Sequence, residues 1–122
     1  MKLLLDTQVF LWHIADNPLL KAEESALIED PAHAKFLSIA SIWEIAIKTS
    51  LGKLTVTEPL NRIIPKEVHV LDITIPHLMH LQTLPFHHRD PFDRLIIAQA
   101  VVEKIDLISR DRYFKLYDVA LI

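Results

Sequence analysis

Short apolar runs alternate along the whole chain with longer segments whose apolar residues recur every three or four positions. The short runs are typical of buried strands, and the longer spacing is typical of helices that cover a sheet. Five strands are predicted, at residues 2–5, 36–40, 68–73, 106–109 and 119–122. Helices are predicted between them, within residues 9–14, 19–28, 41–52, 57–64, 74–85 and 90–102.

Three of the helices carry a start signal in the sequence. Asn17 is a good N-cap residue and is followed by a proline, which suits the first helical position. Ser41, with Glu44 three residues later, has the form of a capping box. Asp90 and the proline after it repeat the first signal, so the helix that follows is the most firmly predicted element.

Strands that alternate with helices indicate a parallel sheet, because parallel strands need long crossover connections and a helix is the usual one. The predicted fold class is therefore α/β, a three-layer α/β/α sandwich formed by one domain over residues 1–122. In such folds ligands bind beyond the carboxyl ends of the strands. Chemistry is expected at that edge of the sheet.

Composition removes several classes of site. The chain has no cysteine, which excludes a disulfide scaffold, a cysteine nucleophile and cysteine-ligated zinc. Its single glycine, Gly52, excludes the glycine-rich loops that cradle nucleotide phosphates. Any phosphate chemistry must therefore use side chains or a metal ion.

Charge and hydropathy indicate the environment. The chain has 16 acidic against 13 basic residues and a net charge of −3, which argues against general nucleic-acid binding. No apolar stretch approaches the length of a membrane span, and Asp6 interrupts any signal-peptide core. A cytoplasmic protein with no membrane contact is expected.

Four acidic residues fall at the predicted ligand-binding edge. They are Asp6, directly after the first strand, Glu44, in the first turn after the second, Asp93, in the first turn of the long helix, and Asp111, after the fourth strand. Clustered carboxylates repel one another unless a divalent cation compensates their charge. An all-oxygen ligand set favours Mg²⁺, with Mn²⁺ as a substitute, over zinc.

Helix capping is the competing explanation for these acids. It accounts for Glu44, Asp90 and Asp93 individually, because acidic side chains favour the first turn of a helix. Asp6 and Asp111 have less local reason to follow a buried strand. Four acids on one edge therefore favour a common site, and Asp90 is a fifth candidate that either binds metal or only caps its helix.

Four motifs resemble the PIN-domain proteins of the VapC toxin type. They are LLLDT at residues 3–7, SIWEI at 41–45, HRDPFDRLIIAQA at 88–100 and SRD at 109–111. The resemblance spans nearly the whole chain in order, and the stretch at 88–100 is its most specific part. Gln8 departs from the pattern, because many relatives have a small polar residue there.

The resemblance implies a five-stranded parallel sheet between helices and Mg²⁺-dependent RNA cleavage by the toxin of a toxin–antitoxin pair. It makes Asp6, Glu44, Asp93 and Asp111 the acidic quartet, with Thr7 and Ser109 as hydroxyl positions beside it. It also implies an antitoxin partner and a homodimer or toxin–antitoxin hetero-oligomer. The apolar surplus in residues 10–13 and 19–28 fits such partners, although packing in the core is the favoured explanation for any single residue of these segments.

Basic residues accompany the acidic ones. Arg89, Arg94, Arg110 and Arg112 flank the candidate acids and either contact RNA phosphates or form ordinary surface ion pairs. Lys48 lies four residues after Glu44, so a helical ion pair is expected to orient that carboxylate.

Three alternatives remain open on sequence alone. His77, His80, His87 and His88 are spaced such that a zinc cluster is conceivable. Asp6 is also placed like the nucleophile of an aspartate-based phosphatase, although Gln8 stands where that chemistry wants a second acid. The third alternative is a non-catalytic α/β module that binds a partner and whose acids only cap helices.

Overall fold

The computed structural model describes residues 1–122. The four strands are β1 Lys2–Leu5, β2 Ala34–Ser38, β3 Val68–Leu71 and β4 Asp106–Ile108. The helices are α1 Thr7–Ile14, α2 Ala22–Glu29, α3 Ile39–Ser50, α4 Leu60–Ile63, α5 Ile75–Thr83 and α6 Pro91–Glu103, and a 3₁₀-helix spans Arg112–Leu116. None of these helices has the length and apolar character needed to cross a membrane.

The four strands form one parallel sheet in the order β3-β2-β1-β4. In its register, Leu4 of β1 lies between Phe36 of β2 and Leu107 of β4. Because β1 is central, its three leucines are fully buried. The predicted α/β class with a parallel sheet is confirmed.

Successive residues of β1 point to opposite faces of the sheet and enter different cores. Leu4 packs with Ile96 of α6 in one core, and Leu3 packs with Phe10 of α1 and Ile28 of α2 in the other. Complete burial of a large apolar side chain contributes about 1.5–3 kcal/mol. Helices therefore cover both faces, which leaves the carboxyl edge of the sheet open for a site.

The prediction of a fifth strand at residues 119–122 is wrong. Only Leu121 forms a β-bridge, with Leu107. The Leu107 N–H donates to the Ala120 carbonyl at 2.8 Å, but the Val119 N–H turns back to the Tyr117 carbonyl two residues earlier. This turn leaves too short an extended segment for a strand.

The start of α3 also differs from the prediction. The helix begins at Ile39, because Ser38 and not Ser41 is its N-cap, with the Ala40 N–H donating to the Ser38 hydroxyl at 3.0 Å. Glu44 consequently lies within the helix and not at a capping position. Capping is thereby removed as an explanation for Glu44.

The two proline signals have different outcomes. Asp90 caps α6, which begins at Pro91 as predicted. In contrast, Asn17 accepts a hydrogen bond from the Leu19 N–H in a turn, and α2 begins only at Ala22. An N-cap residue before a proline therefore marks a helix start in one case and a turn in the other.

Candidate functional site

The fold brings five acidic side chains to one cleft at the carboxyl edge of the sheet. Asp6 directly follows β1, and its N–H donates to the Ile108 carbonyl at 3.1 Å, which holds the end of β1 against the end of β4. The cleft has a volume of about 370 Å³, and its lining includes Asp6, Glu44, Asp90, Asp93 and Asp111. We call it the carboxylate cleft.

Asp6 is both a helix cap and a buried acid. It is 4% exposed, and its Oδ1 accepts a hydrogen bond from the Val9 N–H at 2.7 Å at the start of α1. Burial raises the pKa of Asp6 to about 6, the hydrogen bonds from Ser109 and Val9 oppose the rise, and the charges of Asp111 and Glu44 add to it. Asp6 therefore has a local structural role that its sequence position did not indicate.

Glu44 is buried, and only one of its two carboxylate oxygens has a polar partner. Its Oε2 lies 3.0 Å from Nζ of Lys48, so the predicted helical ion pair is present. Its buried Oε1 has no hydrogen-bond partner. An unsatisfied buried polar atom costs about 1–3 kcal/mol, and more for a charged group, so this oxygen fits a bound cation.

Asp93 is the most strongly perturbed acid of the cleft. Burial raises the pKa of Asp93 to about 7, the charge of Asp90 raises it further, and His88 opposes the rise. Smaller contributions from Glu44 and Asp6 also raise it. A carboxylate with this pKa gains most from a neighbouring cation, which would favour its ionised form.

His88 contacts two acids of the cleft, and the sequence did not predict these contacts. Its Nε2 lies 3.1 Å from Oδ2 of Asp93 and 2.8 Å from Oδ2 of Asp111. The ligand atoms of these three residues all lie within 4.8 Å of one another. His88 begins the longest motif, two residues before Asp90, and this position was the signal that could have linked it to the acids. From the sequence it was considered only as a member of a zinc cluster with other histidines.

Asp90 acts as a cap in the structure. Its Oδ1 accepts hydrogen bonds from the Phe92 N–H at 2.8 Å and the Asp93 N–H at 3.1 Å. The side chain also lines the carboxylate cleft. The alternative that Asp90 binds metal is left as a prediction.

The two hydroxyl positions connect the elements around the acids. The Thr7 hydroxyl donates to the buried Ser41 hydroxyl at 2.9 Å, which joins α1 to α3. The Ser109 hydroxyl accepts the Asp111 N–H at 3.0 Å, and its interaction with Asp6 lowers the pKa of that acid. Ser109 therefore links the acid after β1 to the acid after β4.

Arg94 differs from the expectation that it contacts RNA phosphate. It is buried, and its guanidinium donates to the Pro85 carbonyl at 2.8 Å and to the Leu84 carbonyl at 3.3 Å. It also lies over the Phe86 ring, 4.2 Å from the centroid. These contacts turn Arg94 towards the segment before α6 and give it a structural role.

The other three arginines lie at the surface. Arg110 lines the cleft and forms an ion pair with Glu24 at 2.6 Å, which lowers the pKa of Glu24. Arg112 donates to the Tyr113 hydroxyl at 3.1 Å. Arg89 is exposed. Their predicted contacts with RNA phosphate stay predictions.

The four candidate zinc histidines are not brought together. His77 is fully buried, where its Nδ1 accepts the Thr74 N–H at 3.0 Å and its Nε2 lies 2.9 Å from Glu103. The ring of His87 packs against Tyr117. Only His88 belongs to a group of potential metal ligands. The histidine cluster considered from the sequence is therefore not formed.

The remaining donors suit a hard divalent cation. The carboxylate cleft offers oxygen atoms from several acids, two of them with raised pKa values, and one orphaned carboxylate oxygen. The family model that describes the PIN domain matches residues 3–120. The chain belongs to the PIN domain family.

Solved structures share the PIN fold of this chain at low sequence identity. VapBC2 from Rickettsia felis, bound to a promoter DNA fragment, has a TM-score of 0.76 and 15% identity, covering 100% of this chain and 98% of that one. VapBC-1 from nontypeable Haemophilus influenzae has a TM-score of 0.72 and 20% sequence identity, and the match covers 100% of this chain and 97% of that one. FitAcB from Neisseria gonorrhoeae has a TM-score of 0.71 and 19% sequence identity, and the match covers 98% of this chain and 96% of that one. No curated protein sequence matches this PIN domain.

Proposed function

We propose that this PIN domain is a metal-dependent endoribonuclease and the toxin of a toxin–antitoxin pair. The observation that carries the proposal is the convergence of Asp6, Glu44, Asp93 and Asp111 in one cleft at the carboxyl edge of the sheet. Similar structures that are toxin–antitoxin complexes support the toxin role. The substrate is RNA, and the reaction is hydrolysis of a phosphodiester.

The four carboxylates hold Mg²⁺, or Mn²⁺ as a substitute. When bound, such an ion lowers the pKa of a water molecule and stabilises negative charge on the phosphate during in-line attack. Asp6 and Asp93 bind it in their ionised forms, while Lys48 orients Glu44 through its Oε2. Oε1 of Glu44 is buried and has no hydrogen-bond partner, so it is the oxygen most suited to bind the ion.

The distribution of charge suits local binding of RNA. Without the four proposed metal ligands Asp6, Glu44, Asp93 and Asp111, 12 acidic residues remain against 13 basic ones, so the rest of the chain carries no excess of negative charge to repel a polyanion. Arg89, Arg110 and Arg112 would hold phosphates next to the scissile one. Arg110 would do so only by exchanging its ion pair with Glu24 for a phosphate.

An apolar groove next to the carboxylate cleft suits an antitoxin segment. The groove has a volume of about 700 Å³, and its apolar lining includes Leu11, Trp12, Ile14, Leu54 and Val56. Part of the apolar surplus predicted in residues 10–13 and 19–28 lies in the core, because Phe10, Leu20 and Ile28 are buried. A second copy would cover apolar side chains that α3 and α5 leave exposed, namely Trp43, Leu51, Ile75 and Met79.

Cleavage of RNA by the purified chain tests the function. We expect cleavage with Mg²⁺ or Mn²⁺, none with EDTA, and a loss of at least about 100-fold in Asp6→Asn and in Asp93→Asn, because each change removes an anionic ligand. Glu67→Gln is the matched control, since Glu67 is an exposed acid outside the carboxylate cleft. Undiminished cleavage with EDTA or in Asp93→Asn would contradict the proposal. Absence of both cleavage and Mg²⁺ binding would favour a non-catalytic module.

A further inference from the structure

His88 is fixed in place between two carboxylates of the cleft. Its side chain is 11% exposed, and its ring lies against Tyr113 and Phe114, with centroid separations of 5.2 Å and 5.8 Å. Its backbone N–H donates to the Tyr117 hydroxyl at 2.8 Å. Contacts on several sides therefore hold the imidazole with Nε2 towards Asp93 and Asp111.

A backbone hydrogen bond determines which ring nitrogen carries the proton. The Asp90 N–H donates to Nδ1 of His88 at 3.1 Å. A ring nitrogen that accepts a hydrogen bond has no proton of its own, so the neutral imidazole carries its proton on Nε2. That N–H then donates to Oδ2 of Asp111 at 2.8 Å, and Oδ2 of Asp93 lies 3.1 Å from the same nitrogen, within reach of its electrostatic attraction.

The same tautomer is unsuitable for a metal ligand. A histidine that binds metal through one nitrogen donates the hydrogen of the other to an acceptor. In His88 the other nitrogen faces a donor, the Asp90 N–H, although its Nε2 lies close enough to both acids to complete a ligand group. The short distances from Nε2 to the two acids would suggest that His88 binds metal, but the hydrogen bond at its other nitrogen argues against this role.

We propose that His88 is a positioning residue that clamps Asp93 to Asp111 through its Nε2–H and leaves the metal with oxygen ligands only. The inference rests on the metal site of the proposed function. Asp111 is then held at both oxygens, since its Oδ1 accepts the Tyr113 N–H at 2.9 Å. The clamp offsets the repulsion between the two acids and fixes their orientation before an ion binds.

Two variants separate the clamp from general packing. His88→Ala removes the donor, and we expect Mg²⁺ and Mn²⁺ to bind about 10–100-fold more weakly by calorimetry. His88→Gln places an amide N–H near the same position and should restore affinity to within a few-fold of wild type. His87→Ala is the matched control, because His87 is the exposed neighbour whose ring contacts Tyr117. Equal affinity of wild type and His88→Ala would overturn the clamp.

The tautomer is measured directly by ¹⁵N NMR of the histidine rings in the full chain at pH 8, first without metal and then with Mg²⁺. We expect the proton of His88 on Nε2 in both states. A proton on Nδ1, or loss of the Nε2 proton when Mg²⁺ binds, would overturn the proposal. The metal-free spectrum is independent of catalysis, so a chain that shows the expected tautomer but cleaves no RNA disproves the proposed function alone.

Discussion

Single carboxylates in this protein serve the fold and the cleft at the same time. Asp6, Asp90 and Asp111 each use Oδ1 to accept a backbone N–H at the start of a helix. Because each carboxylate oxygen has two lone pairs, an acid that accepts one hydrogen bond can still bind another partner. Capping and metal binding, which are competing explanations at the sequence level, are therefore compatible within one residue.

The raised pKa of Asp93 predicts a gain in stability when this acid is replaced. With its pKa at about 7 in the folded protein against an ordinary 3.8, the folded state favours the protonated form. Ionisation therefore costs stability progressively as pH rises from about 4 to 7. Asp93→Asn cannot ionise, so without metal it should be more stable than wild type at pH 8, by up to about 4 kcal/mol, and by no more than about 1 kcal/mol at pH 4.5.

Urea unfolding at the two pH values measures this difference. Glu67→Gln, which replaces an exposed acid outside the cleft, should show no comparable gain at pH 8. If Asp93→Asn has the same stability relative to wild type at pH 4.5 and pH 8, the unfavourable ionisation of Asp93 is disproved.

Two arginines five residues apart should differ sharply in their contribution to stability. Arg94→Met removes the donor to the carbonyl of the buried Leu84 and leaves the Pro85 carbonyl with the Tyr117 hydroxyl as its only donor, which we expect to cost about 2–4 kcal/mol in chemical unfolding. Arg89→Met changes an exposed side chain and should cost less than about 0.5 kcal/mol. Similar losses in the two variants would rule out the structural role of Arg94.

At the level of elements, local signals predicted α6 but not the start of α3. Asp90 and Pro91 satisfy the first turn by themselves, so their sequence suffices. Ser38 and Ser41 are both suitable caps for α3, and the choice depends on Thr7, whose hydroxyl engages Ser41 from another helix. A contact 34 residues away in sequence is not visible in a local pattern.

The site shows the same division between local and long-range information. The positions of Asp6 and Asp111 after parallel strands predicted that the acids would share one edge, because the topology alone requires it. The clamp by His88 depends on a ring placed 23 residues before Asp111, and on the backbone of Asp90. The spacing of residues along the chain predicts neither the distance between His88 and Asp111 nor the tautomer of the His88 ring.

Two substitutions of Asp90, at the N-terminus of α6, should separate its effect on stability from any effect on metal binding. Asp90→Ala removes the cap and should destabilise the protein by about 1 kcal/mol in thermal or urea unfolding. Asp90→Ser retains a capping oxygen without charge and should unfold like wild type. If Asp90 serves only as a cap, Asp90→Ser also binds Mg²⁺ within a few-fold of wild type by calorimetry. A loss of tenfold or more in that variant would identify Asp90 as a metal ligand.

For the whole molecule, the net charge of −3 conceals an uneven distribution. The acids that the sheet topology gathers in the carboxylate cleft account for the excess, and the remaining residues are close to neutral. Such a surface binds nucleic acid weakly in general and relies on a cation for a local attraction. The same balance fits a nuclease that needs metal to engage RNA.

Anomalous diffraction from crystals soaked in Mn²⁺ is the most direct test of the proposed metal site, because it locates the ion itself. We expect a peak in the carboxylate cleft, within about 2.5 Å of oxygens from Asp6, Glu44, Asp93 or Asp111, with no direct bond to Nε2 of His88. The peak should be absent in Asp93→Asn crystals and present in Glu67→Gln crystals. A cleft without a peak in wild-type crystals, or a peak held elsewhere by other residues, would disprove the proposed metal site.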